Sequence, residues 1–176
     1  MSMERRGFTI VELIITITIM GILLTLAVVN VGTTQLNARD DARKSNIESI
    51  ASNLESFFVS GTDGSVTFAR YPSTSLVGTA SNITLSLRDA DIKSFLPPGT
   101  TDVTQTFLAT TNTGTAPSIQ TTAGILPQPT FSQYIYQPIK SDGSVCALSD
   151  IDCRKFNLFY RLETDNTIYK WTSKNQ

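Results

Sequence analysis

The sequence predicts an α+β protein, a long N-terminal α-helix packed on a C-terminal antiparallel β-sheet. Three observations predict it. Phe8 to Val31 is an apolar run of twenty-four residues interrupted by one charge, Glu12. Apolar residues then recur at three- and four-residue spacing from Leu36 to Phe58, the period of one helical face. The last 46 residues hold aromatic and β-branched residues in alternating runs separated by turn residues.

At about 1.5 Å per residue the first run makes a helix of roughly 36 Å, long enough to cross a bilayer with some tilt. A secretory signal peptide has a shorter apolar region followed by a small-residue cleavage site. None follows here, so the segment is expected to stay in the mature protein. The leader, Met1 to Gly7, carries Arg5 and Arg6 beside the apolar run. Basic flanks are held on the cytoplasmic side of a membrane helix, which puts the leader inside and the remainder outside.

Glu12 is what an ordinary anchor does not explain. A carboxylate inside an apolar helix is costly unless paired or neutralised, so an intramembrane acid points to function. Positions 8, 9, 15 and 16, one turn away, are Phe, Thr, Ile and Thr, none of them basic. A partner is therefore expected from elsewhere. Cutting between Gly7 and Phe8 would create one, an α-amino group on Phe8 at about the same depth. Thr9, Thr16, Thr18 and Thr25 are expected to bond back to carbonyls one turn earlier in their own helix.

Beyond the apolar run, Leu36, Ile47, Ile50, Leu54, Phe57 and Phe58 define a buried face. Arg39, Asp40, Asp41, Arg43, Lys44 and Glu48 are expected on a solvated one. Gly61 and Gly64 end the helix, giving a rod from Phe8 to Val59 of roughly 78 Å. The domain reading is thus a leader at 1–7, a transmembrane helix at 8–31, its amphipathic half at 32–60 and a globular head at 61–176.

Within the head, Val66 to Tyr71 reads as extended. Ile83 to Leu87 alternates like a short strand, and Asp89 to Leu96 reads as a helical turn or two before Pro97 and Pro98. Gly99 to Thr130, rich in Thr, Ser, Gly, Ala and Pro and nearly uncharged, reads as a long surface loop. Asn82-Ile83-Thr84 fits an N-glycosylation tripeptide, a pattern that chance often supplies. Strands are expected at Phe131 to Ile139, Phe156 to Leu162 and Thr167 to Thr172. Glu163-Thr164-Asp165-Asn166 forms the last hairpin connection, and Tyr134, Tyr136, Tyr160, Tyr169 and Trp171 pack across strands.

Composition narrows the function. Fourteen basic and fifteen acidic residues are interspersed without a basic stripe, so nucleic acid is not an expected partner. There is no histidine, hence no imidazole base or metal ligand. No nucleophile with an adjacent base, phosphate loop or cysteine–histidine set appears, so no enzyme activity, cofactor or metal is expected. Asp142, Asp150 and Asp152 match no calcium loop and read as solvated turn acids. Cys146 and Cys153, if outside the cytoplasm, are expected to form a disulfide rather than two free thiols.

The segment R-R-G-F-T-I-V-E-L-I-I-T-I resembles the leader and N-terminal motif of type IV pilins and of type II secretion pseudopilins. The resemblance implies that a prepilin peptidase cuts after Gly7 and methylates Phe8. It also implies that Glu12 pairs with the terminal amine of an adjacent subunit during assembly. Further implied partners are copies of the chain itself in a helical homopolymer, the membrane before assembly, and an assembly platform with its ATPase. The implied location is a single-pass cytoplasmic-membrane precursor that becomes an extracellular filament. Gly21 falls where the family often has glycine, whereas Val29 stands where many major pilins have proline. Asn30 and Gly32 are then the nearby weak points of the helix. A small C-terminal disulfide loop also fits this resemblance. Four readings share these features: a major pilin, a minor pilin for adhesion or DNA uptake, a secretion pseudopilin, and a non-polymerising membrane-anchored binding domain.

Overall fold

The computed structural model describes residues 7–61, 69–87, 90–148 and 150–175, with backbone alone at 28–30. Leader residues Met1 to Arg6, Gly64, positions 66–68 of the expected extended segment and Asp89 lie outside the described residues. The chain divides into two units, Met1–Ala38 and Arg39–Gln176. Helix α1 (Ile10–Ser60) contributes to both, and it continues through Gly32 where a glycine would permit a break. Its C-terminus is the expected one. Gly61 has φ of 65° and donates its N–H to the Phe57 carbonyl at 2.8 Å, a left-handed cap for which glycine carries no Cβ penalty.

In the second unit a long helix lies against a mixed sheet, the pilin-like α+β arrangement. The sheet has four strands in sequence order: β1 (Phe107–Ala109), β2 (Tyr134–Lys140), β3 (Cys153–Arg161) and β4 (Ile168–Thr172). The expected antiparallel pairings hold for β2 with β3 and β3 with β4. The sheet is nevertheless not wholly antiparallel, because β1 runs parallel to β2, Phe107 opposite Tyr134.

One face of the sheet packs on Ile47, Ile50 and Leu54 of α1, each at most 1% exposed. Phe57 and Phe58 pack at its margin, as their helical spacing requires. A line of aromatic rings runs through this core. Phe95 meets Phe107 edge-on at 4.9 Å, and Tyr71 lies between Phe58 at 4.7 Å and Phe156 at 4.8 Å. Tyr136 donates its hydroxyl to the Pro72 carbonyl. Burial there pushes its phenol well above the ordinary value. Tyr160 and Tyr169 face each other across β3 and β4 with rings 5.7 Å apart.

The other face is also covered. Ile135 and Phe159 pack there with Ile125, which comes from the connection between β1 and β2. That connection sits inside the segment expected to be a surface loop, and here the structure corrects the reading. Gly99 to Thr130 contains helix α3 (Val103–Thr106), strand β1 and a 3₁₀ turn, Pro117–Gln120. It also buries Phe107 and Ile125 completely. Asn112 pins it by donating to Gly124 O at 3.1 Å and accepting from Leu126 N at 2.8 Å. Gly124 is required there: a Cβ on it would lie 1.9 Å from the Ser118 carbonyl oxygen.

A second correction concerns Ile83 to Leu87, which is not a strand. Thr79 caps helix α2 (Ala80–Ser86), its hydroxyl accepting the Asn82 N–H at 3.2 Å. Ile83 and Leu87, one turn apart, are buried while Leu85 is 71% exposed. The apparent alternation of Ile83, Leu85 and Leu87 was therefore half of a helical pattern. The turn expected over Asp89 to Leu96 is a 3₁₀ segment, Ile92–Phe95, capped by the Asp91 carboxylate on Lys93 N at 2.9 Å.

Candidate functional site: the N-terminal helix and its first turn

From Phe8 to Ala27 every side chain is exposed, including Leu13, Ile14, Ile15, Ile17, Ile19, Ile22 and Leu23. Leaving so many large aliphatics in water forfeits about 1.5–3 kcal/mol of burial for each. This surface requires an apolar environment, whether lipid or other helices. Among the described residues, α1 is the one helix long and apolar enough to cross a membrane. It is consistent with a membrane-anchored or signal-like segment.

Three hydroxyls in the apolar stretch of this helix are satisfied within it. Thr16 donates to Leu13 O at 2.8 Å, Thr18 to Ile14 O and Ile15 O at 2.9 and 2.8 Å, and Thr25 to Ile22 O at 2.7 Å. These three do what their sequence positions predict. Thr9 does not.

Thr9 is the residue before the helix, and Glu12 is the third residue within it. The Thr9 N–H and hydroxyl both donate to Glu12 Oε2, at 2.9 and 2.8 Å. The Glu12 N–H donates back to Thr9 Oγ1 at 3.2 Å. This reciprocal pair is a capping box, in which two otherwise orphaned backbone N–H groups at a helix start find acceptors. Glu12 therefore has neutral donors beside its own helix, from Thr9. The carboxylate also sits where the positive end of the helix dipole favours an anion. The signal was in the sequence: Thr9-Ile10-Val11-Glu12 is a T-x-x-E pattern opening an apolar helix.

Gly7 and Phe8 precede the helix, exposed, with Phe8 at 86%. The peptide bond between them lies one residue before the Thr9 cap of the helix. The other residues singled out in sequence belong to the second unit. Cys146 and Cys153 form a disulfide, with Cα atoms 5.6 Å apart. Asp142 accepts from Ser144 N at 2.8 Å, Asp150 from Ala147 N at 2.8 Å, and Asp152 from Arg154 Nε at 2.6 Å. Among the described residues no three acidic, cysteine or histidine side chains are grouped to hold a metal ion.

One polar cluster in that unit escaped the sequence reading. Asp40 and Arg43, expected on a solvated face, are each 2% exposed. Arg43 Nη1 pairs with Asp40 Oδ1 at 2.9 Å, Nη2 pairs with Glu163 Oε1, and Nε donates to Phe131 O at 2.9 Å. Arg39 holds the other oxygen of Glu163 at 2.6 Å. Asp40 in turn accepts the Glu163 and Thr164 N–H groups, both at 2.9 Å. Burial pulls both carboxyls upward, but these donors and the guanidinium charges outweigh it and hold both below their ordinary values. Counting back from Ile47 in steps of four and three lands on Arg43 and Asp40, so the buried face extends through them.

A family profile described as a prokaryotic N-terminal methylation motif matches residues 2–28, which takes in Gly7, Phe8, Thr9 and Glu12. No curated protein and no solved structure matches the chain.

Proposed function

We propose, from the premise that this chain carries a prepilin-type methylation motif consistent with the type IV pilin and pseudopilin family, that it is the structural subunit of a pilus-like filament. The observation that carries the reading is the conjunction of that motif with an apolar helical stretch whose side chains are exposed from Phe8 to Ala27. The leader remains in the cytoplasm, and a prepilin peptidase cuts after Gly7 and methylates Phe8. The Phe8–Val31 helices then leave lipid for a bundle of their own copies, driven by an assembly platform and its ATPase. Moving an apolar stem between two apolar surroundings exposes little of it to water, so the transfer meets no large hydrophobic penalty.

Glu12 supplies register. In the uncut chain the nitrogen of Phe8 is a neutral amide, and the two Thr9 donors answer the Glu12 carboxylate. After cleavage the Phe8 amine of an adjacent subunit becomes a charged partner, and charge-assisted bonds are roughly twice as strong as neutral ones. A subunit docked out of register leaves the Phe8 ammonium and the Glu12 carboxylate without countercharges in an apolar core, which is strongly unfavourable.

Glu12→Ala is expected to leave processing intact and abolish filaments, read by the mass of the membrane form and by electron microscopy of sheared surface material. A Gly7→Phe chain is expected to keep its leader, with the precursor mass unchanged. The natural protein should begin with methylated Phe8. An intact leader on it would replace this reading with that of a plain membrane anchor, and a normal filament yield from Glu12→Ala would remove the register role.

A further inference from the structure

In the second unit, the end of α1, residues 70–75, the end of α2 and the disulfide-closed turn surround a cavity of about 280 Å³. Tyr71 and Phe57 give it an aromatic floor, while Arg70, Leu148, Asp150 and Ile151 stand around it. The turn is tied to this wall, not free of it. Ser73 Oγ donates to Leu148 O at 3.1 Å, Tyr71 N to Cys153 O at 2.8 Å, and Arg70 Nη1 to Ile151 O at 3.1 Å.

Two features of the cavity are unspent. Leu148 and Ile151 are 72% and 70% exposed, an exposure that only Val59 and Leu85 match among the described large hydrophobic residues of this unit. The charges around the cavity are also unequal in their commitments. Asp150 is answered by Lys140 Nζ at 3.4 Å and by Ala147 N–H at 2.8 Å. Arg70 has no carboxylate partner among the described residues, and that single bond to Ile151 O occupies one of its five N–H donors. Among the described residues, the net demand of the cavity is therefore for an anion. Its volume falls just below the range of small-molecule pockets and suits one anchoring side chain. The two exposed aliphatics need a larger body to cover them.

We infer that this cavity docks an acidic peptide segment of a partner protein, one that presents a carboxylate side chain to Arg70 and an adjacent aliphatic side chain to Leu148 and Ile151. The carboxylate meets the free edge of the guanidinium in a paired arrangement that lysine could not reproduce. The aliphatic neighbour covers Leu148 and Ile151 against water. This binding is independent of the stem and of filament formation.

The test uses the full chain in nanodiscs of zwitterionic lipid, with the disulfide confirmed by mass. The probe is a fluorescein-labelled octapeptide with blocked ends carrying Glu beside Leu, and anisotropy is the readout. Saturable binding is expected, weakened about tenfold by Arg70→Gln and several-fold by Leu148→Ser or Ile151→Ser. A peptide with Gln in place of its Glu should lose the same factor on the native chain and nothing further on Arg70→Gln, which marks the two groups as direct partners. Near-UV circular dichroism checks that each variant keeps its fold. No saturable binding, binding indifferent to Arg70→Gln, or complete displacement by millimolar inorganic phosphate, which would mark a small-anion site, overturns the proposal. Failure of filament assembly leaves these outcomes unchanged, so the two readings fall separately.

Discussion

At residue scale, one ionised side chain decides how the β3–β4 connection is held. Arg43 bonds Asp40, Glu163 and the Phe131 carbonyl from a position 2% exposed. Arg43→Met leaves the buried Asp40 carboxylate without a countercharge and Glu163 paired with Arg39 alone. It is expected to cost about 3–5 kcal/mol in denaturant unfolding, because the penalty of an uncompensated buried charge exceeds what the pair contributed. Replacing all three groups, as Asp40→Leu, Arg43→Met and Glu163→Leu together, is expected to cost less than Arg43→Met alone. The pH response follows from the direction of the shifts. Both carboxyls are lowered in the folded state, so their stabilisation is complete above the unfolded values near 4 and is lost as pH falls through the lower folded values. Stability of the native chain should therefore drop below about pH 4, and the triple variant should show a shallower drop. An equal slope in both would remove this network as the source of the acid response.

At the scale of elements, legibility tracked how much of an element repeats a period. The stem was readable because twenty-four residues carry one charge. Strands β2, β3 and β4 were readable because aromatic and branched residues crowd them. Asp40 and Arg43 share the helical spacing of Ile47 and Ile50, and only their charge argues for solvent. The Thr9–Glu12 box is hidden by the charge of Glu12, which points to a countercharge although neutral donors at a helix start also bond a carboxylate. Residues 99–130 hid their structure because the anchors, Phe107 and Ile125, are isolated apolar residues among small polar ones. Helix α2 gives the clearest test of such a misreading. A strand would place Ile83 and Leu85 on one face with similar cost on truncation. The helix instead makes Ile83→Ala cost about 2–4 kcal/mol and keeps Leu85→Ala within about 0.5 kcal/mol. Comparable destabilisation by the two substitutions, measured by chemical denaturation, would reject the helix.

For the molecule as a whole, the two units place opposite demands on their surroundings. The second unit buries its large side chains on both faces of the sheet and satisfies its buried ions internally. The first does the reverse: the Thr16, Thr18 and Thr25 hydroxyls bond inward to the helix backbone and its aliphatics face outward. Because the Thr16, Thr18 and Thr25 hydroxyls and the Glu12 carboxylate are already engaged, little between Phe8 and Ala27 competes for water. Association of the full chain in plain buffer should therefore be governed by stem burial and not by the state of the second unit. Sedimentation is expected to show large assemblies without amphiphile and a single small species in detergent, with the near-UV spectrum of the second unit the same in both. Thr16→Val, which deletes a hydroxyl that bonds only within the helix, is expected to leave this behaviour unchanged. Leu13→Asp, which adds an unpaired charge to the same surface, is expected to loosen the assemblies. A monodisperse monomer in buffer lacking amphiphile would mean that the exposed stem is covered by something within its own chain, and the filament reading would lose its physical basis.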